Sequence, residues 1–332
     1  MIKNIIIVTL LFWLESSQAQ NALYQYTGTI VADKNDFCEI FNQGKLIGKF
    51  RIRPEKKDFS GHTNNISFFG IKRLSDSAFI ATESAEVGYE GTVKNNIVLL
   101  NIKGKVIDRI VESDKYHYAH SAHPSNSNKK ILYLTHARYP PSGSKPTKEE
   151  LLSALSSKEI LHIMDYGTRK EELSVENFSK GGMLAFHESP WSPDERRFVY
   201  TIRRQSISFL LGDDFKDNDT AVGGSYIYDI DKKTDVEFIA GSYKAVWCPD
   251  SNVVAYLKQG SIWLYNTNTD IHTLFLKFTS NLDIDIHWTP DGNYLYVQYR
   301  KGSKIIEKLY TMDAKEVPFK KPKLKDRFYT WR

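Results

Sequence analysis

Three times in the second half of the chain a tryptophan is followed, two residues on, by Pro-Asp: Trp191-Ser192-Pro193-Asp194, Trp247-Cys248-Pro249-Asp250 and Trp288-Thr289-Pro290-Asp291. Each unit precedes an apolar, strand-like run: 197–202, 253–257 and 294–299. The physical reading is a hairpin. An apolar strand ends at the aromatic residue, proline fixes its backbone angle in the turn, Asp, Asn or Gly completes it, and a second strand returns. A weaker copy, His123-Pro124-Ser125-Asn126, precedes the run 131–135.

A third strand follows each hairpin, at 160–163, 226–228, 262–265 and 309–312, and a fourth is visible at 236–239 and 273–276. The step from Pro249 to Pro290 is 41 residues, within the ~40–45 residues of a four-stranded propeller blade. The earlier steps, from Pro124 to Pro193 and from Pro193 to Pro249, are longer and imply insertions in those blades. Upstream, four strand-like pieces without the proline turn occupy 66–71, 78–82, 97–101 and 106–111. Residues 22–60 also read as strands and turns, including 37–41, and Phe328 to Trp331 form a last piece at the other end. The chain is therefore expected to be all-β: a β-propeller of six four-stranded blades closed by both termini, since closure leaves no exposed sheet edge. One short helix is expected near 148–157. There Thr147-Lys148-Glu149-Glu150 has capping-box spacing ahead of Leu151, Leu152 and Leu155. A second insertion, 205–224, carries Asp213, Asp214, Asp217 and Asp219, whose spacing does not match a calcium-binding EF-hand loop.

The three Trp-x-Pro-Asp units resemble the Trp-Ser-Pro-Asp repeat of TolB-like, WD40-like propellers, and the resemblance covers roughly residues 66–320. It implies a propeller of about six blades that binds a partner. TolB itself has a further N-terminal α/β domain, for which there is no room before Ile66, so a role in the Tol-Pal system is not implied. Related propellers also accompany the hydrolase domain of prolyl oligopeptidase-like enzymes. Here no Gly-x-Ser-x-Gly elbow occurs, and the residues after Lys320 are too few for such a domain. A phosphate-binding glycine-rich loop and a zinc-type pair of close cysteines are also missing.

Residues 1–19 read as a signal peptide: a basic start at Lys3, an apolar run from Ile5 to Leu14 too short to span a bilayer, and small residues at Ser17 and Ala19. Residues 20–332 would then be a single propeller domain, periplasmic or secreted, with no membrane span and no nucleic-acid partner. The net charge of +5 is spread along the chain except near the C-terminus, where Lys315, Lys320, Lys321, Lys323, Lys325 and Arg327 cluster; this reads as a solvated terminal segment. Cys38 and Cys248 each lie in an apolar context and are expected to pack as small hydrophobes, unbonded.

Histidines and acids ahead of the turns are the candidate site. His117 and His120 precede Pro124, His187 and Glu188 precede Pro193, and Asp283, Asp285 and His287 precede Pro290. Asp283, Asp285 and His287 alternate with Ile284, Ile286 and Trp288, which places the three polar groups on one strand face. In a propeller the innermost strand lines the channel, so these seven residues would converge on its mouth, walled by the insertions 139–158 and 205–224. Such a set can bind a protein, peptide or glycan without chemistry, the favoured reading. Alternatively it can hold a divalent cation in a lyase or hydrolase acting on a polysaccharide fragment. Some pectin-fragment lyases use propeller histidines in that way, although none of their motifs is matched here.

Overall fold

The computed structural model describes residues 29–32, 37–42, 45–53, 55–57, 63–75, 77–87, 92–113, 117–137, 159–176, 178, 183–187, 190–203, 223–278, 283–289 and 291–318. Among them there is no helix, and every strand belongs to an antiparallel sheet. The expected signal segment, the helix near 148–157 and the strand at 328–331 lie outside the described residues.

Six sheets follow one another along the chain. Sheet I holds β1 (Thr29–Ala32), β2 (Phe37–Asn42) and β3 (Lys45–Arg51). Sheet II holds β4 (Glu55–Lys57), β5 (Thr63–Arg73), β6 (Ala78–Val87), β7 (Thr92–Asn101) and β8 (Val106–Val111). Sheet III holds β9 (His117–Pro124), β10 (Lys130–Ala137), β11 (Ile160–Asp165) and β12 (Glu171–Val175). Sheet IV holds β13 (Met183–Ala185), β14 (Arg197–Arg203), β15 (Gly224–Asp229) and β16 (Thr234–Ala240). Sheet V holds β17 (Ser242–Trp247), β18 (Val253–Lys258), β19 (Ser261–Asn266) and β20 (Ile271–Lys277). Sheet VI holds β21 (Ile284–Trp288), β22 (Tyr294–Lys301), β23 (Lys304–Thr311) and β24 (Glu316–Val317). Each sheet is a meander in chain order, and the whole is a β-propeller arrangement.

The expected all-β propeller is present, and among the described residues four of the six sheets have the four strands expected: sheets III to VI have four each, sheet II has five, and sheet I has three. The departure falls where the proline turn is missing: without it the second sheet runs to strands of 10 or 11 residues and recruits the short β4 as an extra partner.

Successive sheets are joined by apolar clusters. Cys38, Ile40 and Phe50 of sheet I pack on Phe68, Phe79 and Leu100 of sheet II. Ile80 and Ile97 pack on Ala119, Ile131 and Tyr133 of sheet III. Leu134, Leu161 and Ile163 pack on Trp191, Phe198 and Tyr200 of sheet IV. Val199 and Ile227 pack on Trp247, Val254 and Tyr256 of sheet V, and Val246, Ala255 and Leu257 pack on Ile286, Trp288 and Leu295 of sheet VI. Strand periodicity makes this possible, because neighbouring residues point to opposite faces: Val246 faces the sheet after its own and Trp247 the sheet before.

The turn motif has one hydrogen-bond pattern in four sheets. The backbone N–H of Ser125, Ser192, Cys248 and Thr289 donates to the carbonyl five residues on, at Lys130, Arg197, Val253 and Tyr294, over 2.8–2.9 Å. Where a hydroxyl is present it closes the turn as well. Ser192 Oγ accepts from Arg197 N at 3.0 Å and donates to Asp194 Oδ1 at 2.5 Å, and Thr289 Oγ1 accepts from Tyr294 N at 3.1 Å and donates to Asp291 Oδ1 at 2.6 Å. This pattern corrects the alignment of the weak copy. Ser125 is the counterpart of Ser192, so Pro124 stands at the tryptophan position, pairing with Ile131 as Trp247 pairs with Val254, and Asn126 stands at the proline position.

The motif tryptophans are at most 1% exposed, and two of them hydrogen-bond back to the preceding sheet. Trp191 Nε1 donates to His123 O at 3.2 Å, and Trp288 Nε1 donates to Val246 O at 3.3 Å. The two acceptors occupy the same position in the repeats of sheets III and V. Trp247 instead donates to Ser251 O in its own turn, at 3.2 Å.

Gly292 has φ of +70°, and a Cβ there would lie 2.7 Å from Asp250 Cβ and 3.0 Å from Cys248 Sγ. Gly292→Ala combines a left-handed backbone with overpacking, so a loss of about 2–4 kcal/mol in unfolding free energy is expected by denaturant titration; a wild-type midpoint would refute the close turn-to-turn contact. Cys38 and Cys248 are both buried and free, and burial pushes the Cys38 thiol up to about 12. Sheets II to IV intervene between their sheets in chain order. Neither cysteine should react with a thiol reagent until the protein unfolds, when two should; a Cys38–Cys248 crosslink, which needs Cα atoms within about 7 Å, would contradict this packing.

Candidate functional site

In sheets III, V and VI the first strand packs against the sheet before it. β9 lies against β5, β6 and β7, β17 against β14 and β15, and β21 against β17 and β18. Counting from the turn, the ladder brings three side chains to one level near the start of these strands: His120 opposite Leu134, Lys244 opposite Leu257 and Asp285 opposite Gln298. In sheet IV the same level holds Ala185, opposite Thr201. A bulge in β9 at Ser121, which has φ of +55°, shifts the register between Leu132 and Leu134 and brings His120 rather than Ser121 to that level.

Lys244 and Asp285 meet between sheets V and VI. Lys244 Nζ donates to Asp285 Oδ1 at 3.0 Å and to the Ile284 carbonyl at 2.9 Å, and His287 Nε2 lies 3.4 Å from Asp285 Oδ2. The Asp285 carboxyl is 30% exposed and the His287 ring 4%. Burial works to raise the Asp285 carboxyl, but the hydrogen bonds and charges of His287 and Lys244 outweigh it and hold the group well below the usual carboxylate range. Lys72 of β5 makes a comparable crossing from sheet II to sheet III: its Nζ donates to the Ala122 carbonyl at 2.9 Å and lies 3.2 Å from His123 Nε2. Burial, with the charges of Lys72 and His187, keeps His123 well below the ordinary histidine value. His120 Nδ1 is 3.0 Å from Ser121 Oγ, and burial together with His136 lowers its value to about 4.

Of the seven expected residues, two are joined among the described residues. Asp285 and His287 are joined, on the strand face expected for them. His120 shares their level on β9, in a different sheet. Asp283 is exposed just before β21, its carbonyl accepting from Arg300 N at 3.3 Å. His187 follows β13 in a segment with more residues before its tryptophan than the other repeats have, so it is off the ladder, near His123. His117 heads β9, paired with Ala137, but its side chain and Glu188 lie outside the described residues. Lys244 was missed although a signal existed: it stands three residues before Trp247, as Asp285 stands three before Trp288. Among the described residues no three His, Cys, Asp or Glu side chains come together as metal ligands.

The two longest connections leave from the mouth, as expected. Ala137 pairs with His117 and Arg203 with Met183, so the chain between β10 and β11 and that between β14 and β15 both depart beside the start of a first strand. The second connection ends one residue sooner than expected, since Gly224 already belongs to β15.

No family model matches the sequence, and no curated protein matches it. Solved structures similar to this chain include an oligogalacturonate lyase in complex with manganese, at 13% identity over 80% of this chain and 71% of that one, with a TM-score of 0.48. The β-propeller domain of the Trilobed protease from Pyrococcus furiosus is similar at 14% identity over 76% and 69%, with a TM-score of 0.44. TolB from Acinetobacter baumannii is similar at 12% identity over 75% of this chain and 64% of that one, with a TM-score of 0.34.

His120 gives a pH dependence of defined sign. The unfolded imidazole takes up a proton near 6.5 and the folded one only near 4, so the unfolded state binds more protons in between. Stability is therefore full above about pH 6.5 and lost as pH falls through 4. Thermal melts across this range should show a shallower fall for His120→Gln than for the parent; parallel curves would show that the imidazole is solvated.

Proposed function

We propose that this protein is an exported propeller that binds a partner protein, peptide or glycan segment at the mouth where its inner strands begin, without chemistry of its own. The observation that carries the reading is the Lys244–Asp285 pair. A cation and an anion stand 3.0 Å apart at the start of two inner strands, partly open to solvent and on the side from which both long connections leave. A ligand with alternating donors and acceptors, such as a sugar hydroxyl array or a peptide backbone, can take hydrogen bonds from the ammonium and give them to the carboxylate. His287 backs the carboxylate from the buried side and keeps it an acceptor. The export reading is supported by the N-terminal segment of the sequence. Metal-assisted cleavage of a polysaccharide fragment needs three or more ligands around an open coordination position, and no observation among the described residues favours it.

Lys244→Ala/Asp285→Ala removes both partners together, so no lone charge is left half-buried. Applied to oligosaccharide and peptide microarrays, the double variant should lose at least tenfold in binding to whatever the parent retains, with an unchanged circular dichroism spectrum. Unfolding of the variant, or unaltered binding, would make these residues structural. Stoichiometric metal in the purified parent, together with cleavage of an oligogalacturonide, would replace the binding reading with the enzymatic one.

A further inference from the structure

A cavity of about 260 Å³ lies where sheets II and III meet, between the end of β8, the start of β9 and the adjoining ends of β10 and β11. It is separate from the Lys244–Asp285–His287 cluster, which joins sheets V and VI. Val111, Ala119 and Ile160 form its apolar wall, and Glu112, Ser113, Thr135 and His162 its polar wall, with Tyr118 beside them.

The protons of the polar wall are already committed. His162 Nδ1 lies 2.6 Å from Glu171 Oε2, and a carboxylate only accepts, so Nδ1 carries the proton. In the tautomer with Nδ1 as donor, Nε2 is the acceptor facing the Thr135 hydroxyl, 2.8 Å away. The ring is held flat against Tyr133, with centroids 4.7 Å apart and planes at 11°. Ser113 Oγ donates to the Asn95 carbonyl, and Ser113 N donates to Asn96 Oδ1 at 2.8 Å. What these groups offer a guest is therefore oxygen lone pairs, from Thr135 and Ser113, together with the Glu112 carboxylate. A wall of acceptors beside an apolar wall suits a guest with several donors, no acceptor and a short hydrocarbon stem.

We propose that this cavity binds a primary alkylammonium group, the side chain of a lysine in a peptide ligand, with its methylenes on Val111, Ala119 and Ile160 and its –NH₃⁺ on the oxygens of Glu112, Ser113 and Thr135. The three ammonium donors match three acceptors. A carboxylate guest would meet like charge at Glu112, and a neutral alkyl guest would bring no donor to any of the three oxygens. The site goes beyond the mouth reading, since it uses different sheets and does not require ligand contact with Lys244 or Asp285.

Calorimetric titration of the full chain tests this with N-acetyl-lysine N-methylamide against its norleucine and glutamate counterparts. The lysine compound should bind at least tenfold more tightly than either. Glu112→Gln should weaken it at least tenfold and Thr135→Val severalfold, while Lys244→Ala/Asp285→Ala leaves it unchanged. Equal binding of the norleucine compound, an unaffected Glu112→Gln variant, or binding of free butylamine without the capped lysine would overturn the proposal. Loss of lysine binding in the Lys244/Asp285 double variant would also overturn it, by assigning the ammonium to the mouth. Failure of the microarray experiment alone would leave this site standing.

Discussion

β17 sends Trp247 into the sheet before it and Val246 into the sheet after it, so the middle of the strand has no solvent side on which an unpaired polar residue can stand. The same holds for β6, where Phe79 and Ile80 divide between sheets I and III. Burying a polar group there without a partner costs on the order of 2–7 kcal/mol, which confines unpaired groups to strand ends and strand edges. Glu83 shows how a polar residue inside is paired. Glu83, 4% exposed, accepts from Asn96 Nδ2 at 3.1 Å and from Arg109 Nη2 at 3.3 Å. Lys244, Asp285 and the cavity wall all lie near the ends of strands.

Surroundings give one residue type opposite behaviour. Asp285 is held low because Lys244 and His287 overcome its burial. Glu159, next to the cavity-lining Ile160, has no such neighbour; its Oε2 is sealed from solvent without a hydrogen-bond partner, and burial pushes the carboxyl up to about 7. Two carboxyls of one fold thus differ in charge near neutrality, and the one beside Lys244 is the one held as an anion.

The hairpins were legible because each is written in local chemistry: an aromatic strand end, a proline, an acid that takes a hydroxyl or backbone proton. That pattern located β14, β18 and β22 and the turns before them. It misled at Pro124, which occupies a strand end rather than a turn, and only the bond from Ser125 N to Lys130 O reveals the shift. The strand counts of sheets I and II were beyond it, since pairing partners there are chosen by register over long strands and not by turn residues. Asp285 and His287 were legible from alternation within five residues. The Lys244 contact and the Thr135–His162–Glu171 relay were not found, because their members come from different sheets or from three strands of one sheet. A repeat shows that positions correspond, whereas contact depends on how far a side chain such as lysine reaches across the gap.

The tryptophan bonds also give the molecule a direction. Trp191 and Trp288 each hand their indole proton to the inner strand of the sheet before them, and the apolar mass of each ring lies in that same interface. Each of these two sheets is thus hydrogen-bonded backward along the chain by its own tryptophan. A lesion at Trp288 loosens sheet VI from sheet V while the join between sheets IV and V, carried by Trp247, stays intact. Damage at such a tryptophan is thus felt at the join with the sheet it leans on.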